Sequence, residues 1–203
     1  MTNVVASISL KKKEKLSLRK VAPGLSRVRV AITWRAVQGQ EVDLDLSGFM
    51  LNDKDRILTQ QDFIYYGQEI SPDGSVHYLG DNRKGSVDDG SGSLGDSEAI
   101  KVNLDDVPER VKRIVFAVTI DGADEKRQKF KHASEAVARL FNDVTGAEIA
   151  RFPLEGDFKE DSAMLMVDLH REGDSWDFNP IGQGFKGHLG DICNSYGLDI
   201  GYN

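Results

Sequence analysis

The chain has 203 residues, 39% of them hydrophobic and 29% charged, with 26 Lys and Arg against 33 Asp and Glu for a formal charge of −7. This composition excludes a disordered chain and suits a single domain over residues 1–203, while the longest apolar runs, Ile114 to Val118 and Ala163 to Val167, are far below the ~18 residues of a membrane-spanning helix. The acidic balance argues against whole-domain binding to nucleic acid, which needs a basic face, and favours cations as partners.

No basic region followed by an apolar one opens the chain, and its one cysteine, Cys193, fits a reducing compartment, so a cytoplasmic protein is expected. Val4, Ala6, Ile8 and Leu10 alternate with polar residues, as do Leu16 and Leu18 and, after a turn at Pro23-Gly24, Val28, Val30, Ile32 and Trp34. Between the first two of these segments, Lys11-Lys12-Lys13-Glu14-Lys15, with Arg19 and Lys20 beyond, reads as a charged hairpin that blunts a sheet edge, with contact to an anionic lipid surface as the minority reading. Val42, Leu44 and Leu46 then alternate with Glu41, Asp43 and Asp45, and two further strand segments, Phe63 to Tyr66 and Ser75 to Leu79, are bounded by turn residues.

Arg113 to Ile120 alternates little and is expected to be a strand buried on both faces, followed by a connection from Asp121 to Lys131. In Lys131 to Asn142 the residues Ala133, Ala136, Val137, Leu140 and Phe141 fit a helical stripe, while Val137, Arg139 and Phe141 also alternate. The turn residues Asn142-Asp143 and Gly146 ahead of Glu148 to Phe152 favour a short helix leading into a hairpin. Met164 to His170 and Ser175 to Pro180 form another hairpin around Glu172-Gly173-Asp174, and His188 to Tyr196 closes the chain as a helix stopped at Gly197. The expected fold is all-β dominated, a β-sandwich of two mostly antiparallel sheets with one or two short helices, including a C-terminal one.

Asp81 to Glu98 holds five carboxylates (Asp81, Asp88, Asp89, Asp96, Glu98), two basic residues (Arg83, Lys84) and four glycines. It reads either as a solvated loop or as a hard-cation site, since calcium takes about 6–8 oxygen ligands and glycines let the backbone turn tightly enough to bring several onto one ion. Asp43 and Asp45 leave the same face of a strand about 7 Å apart, with Glu41 beside them. This is an amphipathic strand facing water or, because like charges in a row repel, a site for a cation. The scattered histidines and single cysteine give no zinc spacing, and no EF-hand pattern is present.

Gly90-Ser91-Gly92-Ser93-Leu94-Gly95 matches G-x-G-x-x-G without opening a helix in a β-α-β unit, and its acidic neighbours would repel phosphate. Cys193 reads as a buried small hydrophobe, and His77, His132, His170 and His188 lack any catalytic spacing.

Several motifs in order, Leu44-Asp45-Leu46-Ser47, Asp62-Phe63-Ile64-Tyr65-Tyr66, Ser71-Pro72-Asp73-Gly74-Ser75-Val76, Gly80-Asp81-Asn82-Arg83 and Gly182-Gln183-Gly184-Phe185, make the chain resemble the tellurium-resistance TerD family from Ser7 to Leu198. The resemblance implies a β-sandwich that binds calcium through acidic loops at one end. It carries metal ligation onto Asp43, Asp45, Asp81 and Asn82, with Asp88, Asp96 and Glu98 as candidates from the acidic stretch.

Two departures stand out. Thr33-Trp34-Arg35 replaces the family's Gly-Trp-Asp, which predicts that one metal position is weakened or lost. The family's compact acidic run is also spread over Asp88 to Glu98. The resemblance further implies a non-enzymatic calcium-binding module of a bacterial tellurite or chemical-stress resistance system. Calcium would order acidic loops for docking to other stress-response proteins at the inner membrane surface. The alternative is a small-molecule or nucleotide-handling protein, enzymatic or not, that uses calcium as a bridge to phosphate.

Overall fold

Alternation in these segments produces strands because each sends one row of side chains into a shared interior and the other outward. The computed structural model describes residues 7–36, 42–80, 98–154, 156, 158–185 and 187–200. Its elements are β1 (Ile8–Ser9), β2 (Leu16–Ser17), α1 (Leu18–Val21), β3 (Arg27–Ala36), β4 (Leu44–Leu51), β5 (Phe63–Ile64), β6 (Val76–Tyr78), β7 (Glu98–Asn103), β8 (Arg113–Ile120), β9 (Ala133–Asn142), β10 (Glu148–Pro153), β11 (Ala163–Glu172), β12 (Ser175–Phe185) and α2 (Leu189–Ser195).

The strands form two six-stranded sheets, in the orders β1-β10-β9-β3-β7-β6 and β2-β12-β11-β8-β4-β5. Among the described residues every strand pair is antiparallel except β1 with β10. This is the expected sandwich. Its interior is built from Val28, Val30, Ile32 and Trp34 of β3 and Leu140 of β9 on one side, and from Leu46, Phe116, Val118, Met164 and Phe178 on the other. Fully burying one such side chain contributes about 1.5–3 kcal/mol. Trp34 also donates its indole N–H to the carbonyl of Val42 at 3.1 Å, satisfying the one polar atom that a buried tryptophan carries.

The second sheet is covered on both faces. Ile114, Phe116 and Val118 of β8 face the interior, while Val115 and Ala117 join Phe49, Leu51, Phe63, Ile192, Cys193, Tyr196 and Leu198 in a separate outer cluster beneath α2. That double burial is why Arg113 to Ile120 shows no alternation in the sequence.

Two expectations are corrected. Residues 133–142 are strand β9, preceded by a single 3-10 turn at Phe130–His132, and not a short helix. The helical stripe arose because Phe141, on the outer face, is nearly as buried as its inward neighbour Leu140. The lysine cluster is also not a hairpin. It turns the chain from β1, at the edge of the first sheet, to β2, at the edge of the second, with Lys13 at φ 72° and Lys12 Nζ donating to the Gly182 carbonyl at 2.7 Å.

Candidate functional site

Of the acidic candidates, Asp43, Asp45 and Glu98 are described, and they lie where β4 and β7 begin. Leu44 and Leu46 are buried in the interior, so Asp43 and Asp45 alternate away from it and are half-buried. The Asp43 carbonyl accepts from the backbone N–H of Asp121 at 3.0 Å, which carries the β4–β8 ladder one residue past the strand and fixes the approach to Asp45. Asp45 lines a cleft of about 500 Å³ with Tyr66, Thr119, Asp121, Ser162 and His188. At its rim, His188 Nε2 lies 2.9 Å from Asp124 Oδ2, and Ser162 Oγ donates to the Gly187 carbonyl at 3.0 Å.

Glu98 arrives from the other sheet. It opens β7 opposite Ile32, turns inward and is 2% exposed. Its Oε2 accepts the backbone N–H of Leu46 at 2.6 Å, across 52 residues of sequence. Strand β5 pairs β4 only at Gly48 and Phe49, so the carboxylate takes the place of a strand neighbour at the start of β4. Asp45 and Glu98 thus both lie at the start of β4, Asp45 on the strand and Glu98 bonded to its Leu46 N–H, at the end of the sandwich where β7 begins. Sequence reasoning picked out Glu98 by its acidity alone; no signal in the chain announced its reach across to β4.

Asp81, Asn82, Asp88, Asp96, the neighbouring Glu41 and the Gly90 to Gly95 motif lie outside the described residues. Among the described residues no group of three His, Cys, Asp or Glu side chains is gathered closely enough to hold an ion. The carboxylates at this end are hard oxygen donors, which suit calcium or magnesium rather than a soft metal. Arg35, at the position where the resemblance leads one to expect Asp, pairs its Nε with Glu135 of the neighbouring strand at 3.4 Å.

Other motif residues hold the scaffold. Asp62 is fully buried, takes Arg110 through two bonds at 2.8 and 3.0 Å and accepts from the Thr59 N–H. Asp73 accepts from Ser71 Oγ and the Ser75 N–H; burial pushes its carboxyl up, but the bonds from Ser75 and Ser71 outweigh that and hold it below the usual carboxylate range. Gly184 is required sterically, since a Cβ there would lie 2.0 Å from Asp161 Oδ2. Cys193 is buried, and burial pushes its thiol up to about 12, which suits a packing residue rather than a nucleophile.

The TerD domain family matches residues 6–196. The chain is 41% identical to tellurium resistance protein TerD of Serratia marcescens over 195 residues, covering 95% of this chain and 98% of that one. It is 37% identical to general stress protein 16U of Bacillus subtilis over 198 residues, covering 96% of this chain and all of that one. The crystal structure of a TerD homologue from Streptomyces coelicolor shares the fold with a TM-score of 0.61 at 19% identity, over 82% of this chain and 94% of that one. With a family match over nearly its whole length and relatives near 40% identity, the chain belongs to the TerD family of tellurium-resistance and stress proteins.

Proposed function

We propose that this protein is a cytoplasmic, non-enzymatic calcium-binding module of a bacterial tellurite or chemical-stress resistance system, in which calcium orders the acidic end of the sandwich and forms a docking surface for other stress-response proteins at the inner membrane surface. The supporting observation is that Asp43 and Asp45, at the start of β4, and Glu98, which opens β7 and accepts from the Leu46 N–H of β4, all lie at the end of the sandwich next to the acidic stretch of the sequence. Carboxylate oxygens are the donors that a hard cation such as calcium takes. Asp81, Asn82, Asp88 and Asp96 complete the proposed shell. Several oxygen ligands from separate parts of the chain suit calcium's large, irregular coordination better than magnesium's strict octahedron. The cleft beside Asp45 favours a second reading, a phosphate-bearing small molecule bridged by the same ion.

Titration calorimetry tests the first reading. Calcium is expected to bind in preference to magnesium, and Asp43→Asn with Asp45→Asn is expected to weaken it at least about tenfold, or about 1.4 kcal/mol, with the metal-free fold retained. Undiminished calcium binding in that double variant would return both residues to an ordinary solvated strand face. A calcium-dependent thermal shift with nucleotides would instead favour the second reading.

A further inference from the structure

The outer face of the first sheet carries two charge triads. In one, Arg29 and Lys101 stand opposite each other on β3 and β7, with Asp143 between them at 3.7 Å from Arg29 Nε and 3.3 Å from Lys101 Nζ. In the other, Arg139 and Arg151 stand opposite each other on β9 and β10, and Glu148 takes both, at 2.5 Å and 2.6 Å. Like charges directly opposite on a sheet are unfavourable, and one carboxylate per pair offsets that only in part. Each carboxylate serves an inner arginine and an outer cation, and the outer cations, Lys101 at 44% and Arg151 at 47% side-chain exposure, keep much of their charge toward solvent. Exposed Arg27 adds to them at the end of β3.

We propose that this face docks an acidic polypeptide segment of a partner protein. In a chain of charge −7, it is a local basic surface whose outer cations flank a preformed stack in which the guanidiniums of Arg29 and Arg139 pack on the Phe141 ring at 4.2 and 4.6 Å. Sheet geometry sets Lys101 and Arg151 three strands apart and two residues out of line, roughly 16 Å, the span of about five extended residues. Two carboxylates at that separation on an extended segment would reach both. Nucleic acid fits less well: Phe141 is covered, 5% exposed, so it leaves no ring for a base to stack on, and Asp143 and Glu148 oppose closely spaced phosphates. A membrane fits less well because Asp143 and Glu148, set among the cations, would repel anionic headgroups.

The probe is a fluorescent ten-residue poly-glutamate peptide, followed by anisotropy against the full chain at low and high salt. Binding is expected to be saturable, to weaken with salt, and to fall at least about tenfold in Lys101→Glu with Arg151→Glu. Lys101→Gln with Arg151→Gln should give an intermediate loss and serves in place of the first variant if that one fails to fold. Binding unchanged in the variants would overturn the proposal, as would tighter, equally variant-sensitive binding of single-stranded RNA or of anionic vesicles. So would self-association abolished by the same substitutions without peptide binding, which would give the face to a second copy of the chain.

Discussion

On the outer face of the second sheet, Phe49, Phe63, Val115 and Ala117 lie under Ile192, Cys193 and Tyr196, with Phe49 4.8 Å from Phe63 and 5.2 Å from Tyr196, ring to ring. On the outer face of the first sheet, Ala31, Ala99 and Phe141 form a small buried apolar cluster among the described residues, and Arg29 and Arg139 roof it. Both sheets bury the same interior, but one is closed by the chain's own C-terminal segment and the other by charged side chains that bury their stems and keep their heads near water. A β-sheet can therefore cover an outer aromatic in two ways, with a rigid apolar lid or with a flexible polar one, and the two should respond differently to perturbation.

Truncation of the ring on each face gives the largest contrast. Phe49→Ala is expected to cost about 3–5 kcal/mol, because its neighbours are held by α2 and cannot collapse into the space. Phe141→Ala should cost less, about 2–3 kcal/mol, because the lost burial and cation–π contacts are partly offset as the arginines fold down into the space. Chemical denaturation measures both, and equal losses would show the two covers to be alike.

Alkaline pH should separate the faces next. Burial pushes both the Cys193 thiol and the Tyr196 phenol up to about 12, from ordinary values of 9.0 and 10.0. A raised folded-state value means that their contribution is whole below about pH 9 and is lost as pH rises toward 12. Cys193→Ala with Tyr196→Phe should flatten the alkaline limb of a stability–pH curve; an unchanged limb would remove the C-terminal cover as its cause.

The smallest effect belongs to the first sheet at acid pH. Burial pushes the Glu148 carboxyl up, but hydrogen bonds from Arg151, Ser7 and Arg139 outweigh it and hold the group below its ordinary 4.5. Its contribution is present above about pH 4.5 and fades as pH falls below that. Glu148→Gln should make the acid limb shallower near pH 4 and leave the alkaline limb unmoved.

The same contrast explains what the sequence disclosed. Strands β3 and β4 were legible because one face meets the interior and the other carries polar residues, which yields clean alternation from Val28 to Trp34 and from Leu44 to Leu46. The C-terminal helix was legible from its Gly197 stop. Strand β9 was not, because buried Leu140 and Phe141 are adjacent, and an aromatic covered by Arg29 of β3 and Arg139 of its own strand looks in one dimension like a residue on a helix's buried side. At the candidate site, Asp43 and Asp45 could be read from their spacing. The bond from Leu46 to Glu98 could not, since it joins a backbone group to a side chain from the opposite sheet.

The turn at Lys11 to Lys15 has a consequence for the order in which the molecule is completed. Strand β1 adds to β10 at Ala150 and Arg151, and β2 adds to β12 at Asp177 and Phe178. Strands β1 and β2 thus cannot dock until their partners, well over a hundred residues later in the chain, have been synthesised. Until β1 and β2 dock, an edge of each sheet remains an open template for foreign strands. One short lysine-rich corner then closes both edges in a single step, so loss of the first seventeen residues would unseal the two sheets together.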